Sequence, residues 1–404
     1  MASRRAGVRS LRVVMLLPNN PYPQDPRVRR EAQTLTAAGH HVTVVCPRES
    51  GQARRETVDG VHVRRHRLPI EGRGVVLYVV EYTIVTVAAL FACLGLLVRG
   101  RLDVVHVHNP PDTLGFVAGV MKIFGKSFVY DHHDVAPELL DVRFGEGAHP
   151  VARRILLLLE RMCCRLADRV IATNESYRQL EMKRDGVSQE RIVIVRNGPL
   201  LEQFQSAAPD DSLRAGAEIL LCYAGLMGPQ DGVDNLVRVM GHLVHDLDRR
   251  GVRCLMVGRG PAMAGAQALS VDLNLTPYVE FTGWLSGDSY LSHIATADIC
   301  VEPAPSNPYN ELSTTIKIME YMALGKPIVA FDLAEHRISA DGAAVYVPPN
   351  DELAMARAIA DLSDDPAKRA EMGIVALKRV EEELAWSHCA PQLLEVYEAL
   401  AGRQ

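Results

Sequence analysis

The sequence predicts an α/β protein of two Rossmann-like units, on three observations. The chain has 404 residues, too many for one ordinary core and enough for two domains of roughly 200 residues each. Short apolar runs alternate with helical patterns along most of it, the βαβ order that gives parallel sheets with helices on both faces. The alternation breaks at a Pro/Asp/Ser-rich stretch, residues 207–212, and then restarts, so that stretch reads as a linker.

The elements follow in order. Residues 11–17 read as a buried first strand and 27–38 as a helix ending at Gly39. Further strands are expected at 42–46, 104–107, 127–130, 170–172 and 192–195, with helices at 113–124 and 151–166. Beyond the linker come strands at 219–223, 253–257, 279–282, 299–302 and 327–331, and helices at 233–245 and 315–324. The expected division is 1–206, 207–385, and 386–404 for a last helix after Trp386 that returns to the first domain.

Composition narrows the function. Apolar residues make up 48% and charged residues 23%, the balance of a folded globular protein. A net charge of -5 without a dominant basic face sets nucleic-acid binding aside. The eight cysteines include no C-x-x-C pair and read as buried, reduced thiols of a cytoplasmic protein. The basic Met1-Ala2-Ser3-Arg4-Arg5 leads into a strand containing Arg12 rather than the apolar core of a signal peptide. Residues 75–98 are apolar except for Glu81. A membrane span there would put strand-like residues 61–63 and 104–107 on opposite sides of the bilayer. A core helix, or one seated in the membrane interface, is therefore expected. In the second case Arg64, Arg65, Arg67, Arg73, Arg99 and Arg101 would meet anionic headgroups.

Chemistry in such folds sits at the carboxyl ends of the strands. Gly225 and Gly228, Gly258 and Gly260, and Gly283 each follow a predicted strand, and glycine there lets a ligand come close to the backbone. No P-loop and no complete G-x-G-x-x-G is present, so a dinucleotide is not indicated. Ser313, Thr314 and Thr315 are candidate N-caps of a helix whose free N–H groups and dipole attract an anion. Lys317 adds a cation for a diphosphate, and Glu320, one turn along the same face, is placed to accept hydrogen bonds from ribose hydroxyls. The simpler alternative on spacing alone is an ordinary capped helix with both side chains solvated.

Residues 320–327, EYMALGKP, resemble the second half of the sugar-nucleotide motif of the family-4 glycosyltransferases. Those enzymes have the GT-B fold, two Rossmann-like domains facing across a cleft. The family carries two glutamates eight positions apart, the second binding the donor ribose, and the resemblance gives that role to Glu320. The first glutamate's place holds Leu312, with Glu311 one residue out of register. Residues 225–233 are similar to the family's G-R-L-x-x-x-K-G turn, but its diphosphate-binding Arg and Lys are replaced by Leu226 and Asp231. Lys317 and the helix start are expected to supply that charge instead. Residues 25–32 and 38–44 resemble the family's opening loop and helix. Asp131-His132-His133-Asp134 resembles its active-site histidine position, with His133 the choice to contact the transferred sugar and His132 the close alternative. A structural hydrogen-bonding role for the pair stays open. Asp25, Arg27, Asn109, Asp112, His132, Asp134 and Asn174 are expected on the acceptor side.

The pattern S-T-x-x-K-x-x-E-Y-M resembles a bacterial branch acting in surface-polysaccharide assembly. The resemblance implies transfer, with retention of configuration, from a nucleotide-diphosphate sugar, a UDP-sugar foremost, to a glycan or lipid-linked acceptor. It implies no cofactor and no metal: Lys317 and the helix start stabilise the leaving diphosphate. The expected place is the cytoplasm, at the inner face of the membrane through residues 75–98. Two alternatives remain at this stage: a nucleotide-sugar 2-epimerase of the same fold, and a noncatalytic membrane-associated partner subunit, which the departures at Leu226, Asp231 and Leu312 would fit.

Overall fold

The computed structural model describes residues 9–67 and 75–402. The basic residues before Ala6 and Arg73 lie outside them. The chain divides into two compact units. The first holds residues up to Asp141, Gly147–Asn197 and Cys389–Gln404; the second holds Val142–Glu146 and Gly198–His388. Residues 207–212, read above as a linker, lie inside the second unit. There the Asp210 N–H donates to the Thr296 hydroxyl at 2.8 Å, and the Arg214 fork grips Asp298 at 2.7 and 2.9 Å.

The first unit is an eight-stranded sheet. Its strands are β1 (Arg12–Leu16), β2 (His41–Pro47), β3 (Arg55–Val58), β4 (Val61–His66), β5 (Val104–His108), β6 (Ser127–His132), β7 (Arg169–Ala172) and β8 (Ile192–Ile194). They lie in the order β3-β4-β2-β1-β5-β6-β7-β8. All pair in parallel except the β3–β4 hairpin, which turns at Asp59-Gly60, both at positive φ, as a two-residue hairpin turn requires. The strand order reverses between β1 and β5, the switch point where α/β sheets open a crevice.

The second unit is a six-stranded parallel sheet ordered β11-β10-β9-β12-β13-β14. Its strands are β9 (Ile219–Leu226), β10 (Val252–Arg259), β11 (Val279–Gly283), β12 (Ile299–Glu302), β13 (Ile328–Phe331) and β14 (Ala344–Val347). Alternate residues feed two separate cores. Leu221, Tyr223, Cys254 and Met256 pack on one face, and Leu220, Cys222, Leu255 and Val257 on the other, as the two-residue period of a doubly covered strand dictates. The switch point here lies between β9 and β12.

Within the helix Val75–Leu97, the stretch Val79–Leu97 is long and apolar enough to cross a membrane by length and composition. The strands on either side of it, β4 and β5, both belong to the first sheet, so it is a crossover helix. One stripe, Val85, Ala89, Cys93 and Leu96, is buried, while Val79, Val87 and Phe91 on the other side are 60%, 46% and 69% exposed. The neighbouring helix Leu114–Ile123 also exposes apolar side chains, Phe116 and Ile123. All eight cysteines are buried and unpaired.

Candidate functional site

In the second unit the predicted glycines sit at the strand ends. Gly225, the penultimate residue of β9, has φ +158 and lies opposite Gly258 at φ +144. A Cβ on Gly258 would overlap the Gly225 carbonyl oxygen, and one on Gly260 would overlap the Met227 carbonyl. These two glycines are therefore demanded by the close approach of two turns to each other. Gly228 donates its N–H to Asp231 at 3.0 Å. Gly283, at φ +76, has open space where a side chain would be.

The helix Ile316–Ala323 begins beside the β9/β12 switch point. Thr315 is its N-cap by backbone conformation, but its side chain makes no capping bond. His336 donates from Nδ1 to the Phe331 carbonyl at 2.9 Å, which leaves Nε2 to accept from the Thr315 hydroxyl at 3.3 Å. Thr314 donates to Glu335 at 3.1 Å, and the Ser313 N–H bonds to Tyr309.

Lys317 enters the switch point itself. Its Nζ lies 3.1 Å from the hydroxyl of Tyr223 in β9, 3.0 Å from Asp231 and 3.2 Å from Glu302 at the end of β12. Its stem passes over Gly225, where a Cβ would come within 3.0 Å of the lysine Cδ. Burial works against the ammonium, yet Asp231 and Glu302 outweigh it and hold the Lys317 pKa well above the ordinary lysine value. One cation thus faces two carboxylates, and Asp231, where the family carries a cation, is half of that clamp. Leu226, at the other departure, is 59% exposed.

Glu320 is half-buried and accepts the Tyr290 hydroxyl at 2.7 Å. Glu311 accepts from Ser306 at 2.7 Å, tying it to its own loop. One cation escaped the sequence reading. Arg259, the last residue of β10, is exposed and stacks over Trp284 at 5.0 Å from the ring centre. Its signal was present, a basic residue inside a glycine turn at a strand end. A D-x-D sequence at 246–248 lies away from the strand ends, its acids paired with His242 and Arg250.

In the first unit Asp131, at the end of β6, is gripped by the Arg27 fork at 2.6 and 2.7 Å. Burial raises the Asp131 pKa, but Arg27 prevails and holds it well below the usual range. Arg27 also donates to the Val195 carbonyl and to Asn197. His133 approaches Asp131 at 3.4 Å with its side chain 19% exposed. Its loop is shaped by Asn109, whose side-chain oxygen accepts the His133 and Asp134 N–H groups at 2.8 and 3.1 Å. His132 points the other way, fully buried, 3.0 Å from Glu181 and 3.6 Å from Glu160. Of the pair, His133 alone reaches solvent. Asp25 caps the helix Pro26–Ala37, and Asn174 caps Glu175–Leu180. Asp112 is buried and accepts the Tyr130 hydroxyl at 2.6 Å.

A parallel sheet whose glycine turns and helix start converge on one lysine at its switch point is the arrangement by which an α/β domain can take an anionic ligand. Comparison with known proteins gives the particular class. Residues 24–198 match the model of the glycosyl transferase 4-like domain, and residues 218–365 that of the glycosyl transferases group 1. The chain belongs to the family-4 glycosyltransferases of GT-B fold. It is 27% identical over 276 residues to a D-inositol 3-phosphate glycosyltransferase of Kineococcus radiotolerans, a match covering 63% of this chain and 61% of the relative. It therefore spans about three fifths of that relative's length. It is 28% identical over 316 residues to a phosphatidyl-myo-inositol mannosyltransferase of Mycobacterium tuberculosis, covering 76% of each. Among solved structures, Anabaena HepE in complex with UDP-glucose superposes with a TM-score of 0.71 at 15% identity, covering 95% of this chain and 98% of that one.

Proposed function

We propose that this glycosyltransferase moves a sugar from a UDP-sugar to a glycan or lipid-linked acceptor, with retention of configuration and without a metal at the diphosphate. The observation that carries the reading is Lys317 at the β9/β12 switch point, one residue inside the helix Ile316–Ala323. The donor diphosphate displaces Asp231 from Nζ and takes the lysine and the helix N–H groups as its partners. Arg259 adds a second cation. Charge building on the leaving diphosphate is then met by fixed donors. Glu320 accepts from the ribose, His133 holds the transferred sugar, and the leaving phosphate takes the acceptor's proton on the face it leaves.

UDP as the nucleotude carrier is supported by the UDP-glucose complex of HepE. A lipid-linked acceptor is supported by the mycobacterial relative, named for phosphatidyl-myo-inositol, and by the exposed apolar stripe of Val75–Leu97. Such a stripe seats a helix in the headgroup region. The test is transfer of labelled sugar from UDP-, GDP- and ADP-sugars into aqueous glycans and into extracted lipids, with NMR of the new linkage. An α-linked product from an α-linked UDP donor is expected. A β-linked product would refute retention, and transfer from GDP- or ADP-sugars alone would refute the nucleotide.

A further inference from the structure

A group of buried ionisable residues in the first unit has no part in the transfer proposed above. Glu31 comes from the helix Pro26–Ala37, and His106 and His108 come from β5; all three are 0% exposed. Residues two apart on a strand share a face, and the two imidazoles stack with ring centres 4.2 Å apart. Each Nδ1 is already engaged, that of His106 with the Tyr397 hydroxyl and that of His108 with Asp131, both at 2.8 Å. These bonds fix the rings so that both Nε2 atoms face Glu31 Oε2, each at 3.9 Å.

That distance is too long for a hydrogen bond. Neither Nε2 and neither Glu31 oxygen has a hydrogen-bond partner; Arg27, 3.2 Å from Oε1, is the charge beside the carboxylate. Buried polar atoms left this way are costly, so something belongs between them. Candidate ligand atoms of Glu31, His106, His108 and Asp131 all lie within 4.8 Å of one another. Ligands held ~2.0–2.1 Å from a shared ion are ~3.4 Å apart at a tetrahedral angle, and further apart as the angle opens. The observed 3.9 Å lies a few tenths of an ångström beyond the ~3.6 Å of a trigonal arrangement, so the three ligands would close in slightly around the ion.

We propose that this cluster is a structural site for a divalent transition-metal ion of the zinc class, with Glu31, His106 and His108 as ligands. Asp131 is occupied by Arg27 and His108 and acts with Tyr397 as an outer group that orients the imidazoles. Two imidazole nitrogens with one carboxylate select zinc or its neighbours over calcium or magnesium, which take oxygen ligands. The ion joins β5 to the first helix and, through Tyr397, to the last helix, Trp386–Ala401. It concerns the first unit alone, so it stands or falls independently of donor binding in the second.

Because the site is enclosed, the test loads it during folding. Protein is purified from zinc-supplemented cells, and separately unfolded with chelator and refolded with Zn²⁺, with Co²⁺ or with no metal. Bound metal, visible absorption of the cobalt form and the thermal midpoint are measured. Roughly one tightly held ion per chain is expected, with cobalt d–d absorption and a higher midpoint with zinc than without. Glu31→Gln and His106→Asn should lose the ion, and Tyr397→Phe should weaken it by about 10–100-fold. Wild-type protein that refolds to a native circular-dichroism spectrum with zinc present, yet holds no metal and melts unchanged, would overturn the proposal. That comparison does not depend on any variant folding.

Discussion

Replacing Lys317 by methionine removes one charge from a buried cluster while keeping most of the side chain's volume. The lysine side chain is 11% exposed, that of Asp231 14% and that of Glu302 0%, so water screens the cluster weakly. Removing one member of a buried ion pair costs about 3–5 kcal/mol, because the partner charge is stranded. Urea unfolding of the second unit should show a loss of that size. Donor affinity should fall for a separate reason, since a charge-assisted bond to phosphate contributes about 1.5–3 kcal/mol, roughly ten- to hundredfold in Kd. The double variant Lys317→Met/Asp231→Asn separates the two effects. It removes one stranded carboxylate and should regain about 1–3 kcal/mol of stability, but none of the nucleotide affinity measured by calorimetry. Undiminished nucleotide affinity in Lys317→Met would refute the phosphate role. An unchanged unfolding free energy would refute the clamp.

Three further outcomes are expected. Gly258→Ala should be destabilised by more than about 1–3 kcal/mol, because φ is +144 and the Gly225 carbonyl stands where the Cβ would go; a normal melting curve would contradict this. Burial pushes the Asp112 carboxyl up to about 6 from 3.8, so the folded state binds the extra proton between those values. Its contribution is then complete below pH 3.8 and lost as pH rises through about 6. The stability of the wild type relative to Asp112→Asn should fall by about 3 kcal/mol across that window, and a flat difference in urea unfolding would sink the argument. Phe91→Asp, on the exposed stripe, should lower binding to anionic vesicles without lowering the thermal midpoint; equal binding by flotation would remove the stripe from membrane contact.

The parallel sheets were legible because their strands are short apolar runs buried on both faces. The β3–β4 hairpin was readable from Asp59-Gly60 but carries charged residues, Arg55 and Glu56 on the edge strand β3 and Arg64 and Arg65 on β4, that hide a strand from a hydrophobic pattern. Lys317 and the helix start were legible because capping residues and a cation follow one another in sequence. Its clamp was not, since Asp231 lies 86 residues away along the chain and meets the lysine only in the fold. Asp25 and Asn174 illustrate a different limit. A polar residue at a strand end and a helix N-cap look alike in sequence, and the structure shows that each of these two side chains caps a helix. Pro26 directly after Asp25 was the local sign of a cap.

The central claim is a nucleotide-diphosphate site organised by Lys317 in the second unit. Its most direct test is calorimetric titration of the wild-type protein with UDP, GDP and ADP in metal-free buffer, beside Lys317→Ala. The account predicts saturable binding of UDP that is lost in the variant. A well-folded wild-type protein that binds none of the three would contradict it.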